Sequence, residues 1–148
     1  MEKISRHKLS VLVLLIISQA IMAGAQAEVV VVGSASGSAT QLNADQVKDI
    51  YLGKVKVLPN GTPVVMADLP ASNPVRNEFF EKILGKNEFQ MKAYWAKEVF
   101  SGHGSQPVAL QNDAAMKAWV SAKDGGGEHI GYIDSGSVDK TVKVLFKP

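Results

Sequence analysis

Among the side chains able to do chemistry, Arg76 has the most suggestive setting, in the stretch Ala71-Ser72-Asn73-Pro74-Val75-Arg76. Asn73 has the chemistry of a helix N-cap and Pro74 that of a first helical residue, so Arg76 falls in the opening turn. Amides at a helix start carry partial positive charge, and a cation there is disfavoured by about 0.3–1 kcal/mol unless an anion lies between. The hydroxyl of Ser72, the Asn73 region and the Arg76 guanidinium together suit a tetrahedral oxyanion such as phosphate. A plainer arrangement pairs Arg76 with Asp68 or Glu78. A second donor set is the Gly33–Thr40 loop, GSASGSAT, where Ser34 and Ser36 follow a strand. In open α/β sheets ligands collect at the carboxyl ends of strands.

Signs of catalysis are thin. The chain has no cysteine, hence no thiol nucleophile and no disulfide. His103 and His129 have no second histidine or carboxylate at metal-ligand spacing, so neither a metal site nor a cofactor is expected. Gly33-Ser34-Ala35-Ser36-Gly37 has the letters of a nucleophile elbow, but an elbow turns directly into a helix, and here the helix is delayed past Leu42. Tyr94, Trp95 and Trp119 suit packing, and Met66 and Met116 suit gap-filling.

The elements that would position these groups are legible in the spacing. Val29–Val32 is an unalternated β-branched run, as in a strand buried on both faces. Asn43 with Gln46 forms a capping box ahead of Val47, Ile50 and Tyr51, and Gly53 ends that helix. Lys54–Leu58 reads as a short strand, Pro59–Thr62 as a turn and Val64–Ala67 as a strand. A helix from Pro74 carries Val75, Phe79, Phe80 and Ile83 and stops at Gly85. Asn87 with Gln90 caps a third helix, in which Phe89, Ala93, Ala96 and Phe100 recur at helical intervals. A fourth helix runs from Asn112 or Asp113 to about Ala122, and Ile130–Ile133 and Val142–Phe146 close the chain as strands. Strands interleaved with helices predict an α/β fold with a mostly parallel sheet.

Around this domain, residues 1–27 read as a cleavable signal peptide. Lys3, Arg6 and Lys8 precede an apolar run that is interrupted by Gln19 and ends in Ala25-Gln26-Ala27. Three of the 16 basic and one of the 14 acidic residues lie there, leaving 13 of each in residues 28–148. A formally neutral domain argues against a nucleic-acid partner. The expected product is one periplasmic domain with a core large enough to dispense with disulfides.

Several phrases, in order, resemble the substrate-binding proteins of phosphate ABC transporters. Val47-Lys48-Asp49-Ile50-Tyr51-Leu52-Gly53-Lys54 is similar to that family's "IF-x-GK" segment. Val64-Val65-Met66 followed by Ser72 to Phe79 resembles its strand and "SGT-R-x-x-F" loop, and Ile130-Gly131-Tyr132-Ile133-Asp134 its "GAIGYV" strand. The resemblance implies a single three-layer lobe of a periplasmic-binding-protein-like fold. It also implies a non-enzymatic role in binding phosphate or a similar small oxyanion, with a membrane transporter or sensor component as partner. The ligand would be held by Ser72, Asn73, Arg76, Ser34 and Ser36. Full-length members close two lobes on the anion, and these phrases all belong to one. Pro74 has no N–H and Val75 no hydroxyl where the family has donors. The alternative is therefore an adaptor or sensor-partner module without tight ligand binding, with a homodimer as one form of it.

Overall fold

The computed structural model describes residues 27–122 and 125–148. Apart from Ala27, the expected signal peptide lies outside the described residues. Among the described residues, no helix is long and apolar enough to cross a membrane.

The chain runs β1 (Val29–Ser34), α1 (Ala44–Tyr51), β2 (Val64–Asp68), α2 (Pro74–Phe79), a π-helical turn (Phe80–Leu84), α3 (Glu88–Phe100), β3 (Val108–Ala109), α4 (Asp113–Ser121), β4 (Glu128–Asp134), a 3-10 turn (Ser135–Ser137) and β5 (Val142–Phe146). The capping boxes at Asn43 and Asn87 both form, each pairing the Asn with the Gln three residues on. Gly85, at φ 65°, ends the π-helical turn in the left-handed region that a residue with a Cβ avoids.

The five strands form one sheet in the order β3-β2-β4-β1-β5. β2 is parallel to β3 and β4, whereas β1 is antiparallel to β4 and β5. Four strands therefore point one way and β1 alone points the other. Lys54–Leu58 is not a strand; its one pairing is an isolated bridge from Val57 to Pro63. The two-residue β3 is too short to leave a periodic trace in the sequence.

Successive β4 side chains fall on opposite faces. A Cβ on Gly131 would meet Met116 and Val120 of α4, while Tyr132 stacks on Phe79 of α2 with ring centroids 4.0 Å apart. Tyr51 of α1 meets Phe79 edge-on at 4.6 Å. Helices thus cover both faces, giving three layers. Val29, Val31 and Val32 are fully buried in β1, an interior strand between β4 and β5, which is why that run shows no alternation. α3 departs from the simple pattern: Met91 and Trp95 are its buried residues, while Phe89, Ala93, Ala96 and Phe100 face solvent.

Candidate functional site

Asp68 ends β2, and its register against β4 sets it level with Tyr132. Its Oδ1 accepts from the Tyr132 hydroxyl and from the Leu69 amide at 2.9 Å. Arg76 Nε donates to Oδ1 at 3.1 Å and Oδ2 at 3.0 Å, and Arg76 Nη1 donates to Glu88 Oε2. The guanidinium carbon lies 4.2 Å from the centroid of the Phe80 ring, a cation–π contact. One arginine therefore ties the end of β2 to the first residue of α3. Burial first, and then the charge of Asp68, pushes the hydroxyls of Tyr132 and Tyr51 well above a tyrosine's usual value. Both remain protonated donors; Tyr51 donates to the Ala67 carbonyl at 3.1 Å.

Beside this cluster is a cavity of about 240 Å³ lined by Asp68, Arg76, Glu88, Lys92, Trp95 and Gln106, among others. Two cations face two carboxylates, so its charged lining is balanced. Of Asp68, Arg76 and Glu88, Glu88 is the most exposed, its side chain 43% accessible against 13% for Arg76.

Of the expected ligand residues, Arg76 alone lines this cavity. Asn73 caps α2 by accepting from the Val75 amide at 2.9 Å, and the Arg76 amide bonds the Asn73 carbonyl at 3.1 Å. Pro74 has no N–H, so this turn presents no free amide to a ligand, contrary to expectation. Ser72 is exposed and does not line the cavity. Glu78 pairs with Lys82 at 2.6 Å and leaves Asp68 as the arginine's near partner. Ser34 and Ser36 are elsewhere. Because β1 runs against β2 and β4, its carboxyl end meets the amino end of β4, where Gly33 pairs with Ile130. There the two serine hydroxyls are 3.3 Å apart, Ser38 Oγ donates to Glu128 at 2.8 Å, and Asn60 donates to the Ser38 carbonyl at 3.2 Å. The Gly/Ser loop is a hydrogen-bonded corner in which Ser34 is buried and Ser36 and Ser38 are exposed. His129 is buried, its ring stacked on Trp119 at 4.0 Å with Nδ1 2.8 Å from the Trp119 carbonyl. Among the described residues no group of His, Cys, Asp and Glu could hold a metal.

Sequence reasoning did not single out Glu88, Lys92 or Gln106. Glu88 sits one residue after a recognisable cap, but nothing local points its carboxylate at α2.

No family model matches the chain, and no curated protein does. Solved structures do. An ABC-type phosphate transport receptor from Vibrio cholerae matches at 20% identity and TM-score 0.60, over 80% of this chain and 45% of that one. A putative phosphate ABC transporter substrate-binding protein with bound phosphate, from Clostridium perfringens, matches at 19% and 0.60, over 80% and 44%. A possible phosphate-binding protein from Planctomyces limnophilus matches at 16% and 0.56, over 80% and 40%.

The fold is periplasmic-binding-protein-like. The chain spans less than half the length of each of these proteins.

Proposed function

We propose that the chain is an exported, non-catalytic module that binds phosphate or a similar small oxyanion in the Arg76 cavity. Its setting would be the periplasm, with a transporter or sensor component of the membrane as its partner. The observation that carries the reading is the Glu88 carboxylate on Arg76 Nη1. An anionic oxygen already docks on the guanidinium at the cavity wall, and Lys92 supplies a second cation beside it. The likeness to phosphate receptors supports the same chemistry. An incoming oxyanion displaces Glu88; Asp68 keeps the Nε side fixed, so the guanidinium stays aimed.

Titration calorimetry with phosphate and with sulfate tests this. Glu88→Gln removes the competing charge and is expected to tighten binding by about tenfold or more, roughly the worth of one charge-assisted hydrogen bond. Arg76→Ala abolishes binding. If Glu88→Gln shows no heat and no thermal shift at millimolar anion, the reading fails.

A second reading, an interaction module without a ligand, is favoured by the two carboxylates already paired with Arg76 and by the capped α2 turn. It predicts that Glu88→Gln changes stability but confers no anion response.

A further inference from the structure

α3 has two unlike faces. Met91 and Trp95 point inward and are buried, while Phe89 and Phe100 are 79% and 96% exposed. Their spacing of eleven positions is about three turns, so both project from the same side. Ala93 and Ala96 lie between them, and the exposed Val99 extends the strip. Phe79 and Phe80, by contrast, are buried. Two bare aromatic rings at either end of one helix face form an apolar patch that water disfavours.

Charge identifies what covers it. The charged residues among the exposed positions of α3 are Lys92 and Lys97, with no carboxylate. Glu88 is committed to Arg76, and Glu98 lies on the inward half of the helix. Neither Lys92 nor Lys97 has an ion pair among the described residues. An apolar strip edged by lysines matches a bilayer with anionic headgroups, where rings enter the acyl boundary and ammonium groups meet phosphates. A second copy fits less well. An antiparallel pairing that sets phenylalanine against phenylalanine also sets the two lysines of one copy level with the two of the other. Thirteen residues make a helix of about 20 Å, too short to span a bilayer, so it would lie flat on it.

We infer that the outward face of α3 docks this domain on an anionic lipid surface, through Phe89, Phe100, Lys92 and Lys97. Lys92 also lines the Arg76 cavity, so the phenylalanine variant, which leaves that cavity untouched, separates lipid docking from anion binding.

Because the chain has no cysteine, Ala96→Cys gives a single attachment point for an environment-sensitive fluorophore. The labelled protein is mixed with vesicles of phosphatidylglycerol and phosphatidylcholine in equal parts, or of phosphatidylcholine alone. Every variant keeps the same N-terminus, so any leader contributes equally. A blue shift is expected with the anionic vesicles and little with the neutral ones. Phe89→Ser with Phe100→Ser, and separately Lys92→Glu with Lys97→Glu, should each weaken the apparent partition by about tenfold or more. Raising salt should weaken it further. All four side chains are exposed, and circular dichroism checks that each double variant stays folded. The inference is overturned by an unshifted label on anionic vesicles, or by undiminished partition in either double variant. It is overturned equally if the label shifts without lipid as protein concentration rises and light scattering reports a dimer, for then a second copy covers the face.

Discussion

Asp68 accepts from a tyrosine, a backbone amide and a guanidinium at once, and this crowding makes it the residue on which the local structure most depends. Tyr132→Phe removes one donor from a largely buried cluster and is expected to cost about 1–2 kcal/mol in urea unfolding. Asp68→Asn should cost more, about 2–3 kcal/mol, because the largely covered Arg76 keeps only Glu88; partial exposure of the pair keeps the loss below that of a fully buried one. Tyr132 and Tyr51 set an alkaline limit. Their hydroxyls are raised above the usual 10.0 by burial and then by Asp68, so folding favours the protonated form. The stabilisation is complete below the unfolded value and declines as pH rises from there towards the folded values. Urea midpoints taken from pH 8 to about 11 should fall at the alkaline end, less steeply for Tyr132→Phe than for the parent.

At the scale of elements, β4 and α4 approach closely at Gly131. A Cβ on Gly131 would collide with Met116 and come within 3.2 Å of Val120 Cγ2. Gly131→Ala should therefore destabilise by about 1–3 kcal/mol, and adding Met116→Ala should recover part of that, an interaction a double-mutant cycle in urea would read. The turn into β5 has a pH dependence of the opposite sign to the tyrosines. Asp139 is held far below the usual carboxylate range, first by the hydrogen bond from Lys117 at 2.7 Å and then by the Thr141 hydroxyl and amide. Its contribution is present above the unfolded value, about 3.9, and is lost as pH falls through the folded one. Asp139→Asn should lower stability at neutral pH, where the carboxylate contributes, and so flatten the acid limb of the profile below about pH 4.

Across the whole molecule, helices on both faces of one sheet share a single hydrophobic cluster, so cooperative unfolding is expected. Trp95 and Trp119 report on α3 and α4 separately; Trp95→Phe and Trp119→Phe proteins, each followed through the remaining tryptophan, should give a transition that coincides with the loss of helical circular dichroism. Separate transitions would show that α3 melts on its own. Much of this architecture was legible in the chain. The caps at Asn43, Asn73, Asn87 and Asn112 and the buried valines of β1 are local signals, because capping and periodicity act over a few residues. The position of Arg76 at the start of α2 was equally readable. Asp68 was one of the partners its neighbourhood suggested, whereas Glu88 was not. Glu88 is twelve residues away and Tyr132 on another strand, and their meeting depends on how α3 and β4 dock around β2. Strand direction also escaped the sequence, since side-chain pattern is the same whichever way a strand runs. The reversal of β1 carries Ser34 and Ser36 to the opposite rim from Arg76 and disperses the expected donor set. Helical periodicity placed Phe89 and Phe100 on one face of α3; only packing decided that this face would be the outer one. Local propensity fixes which segments are helices and strands, whereas direction, docking and the identity of a charge's partner come from contacts distant in sequence.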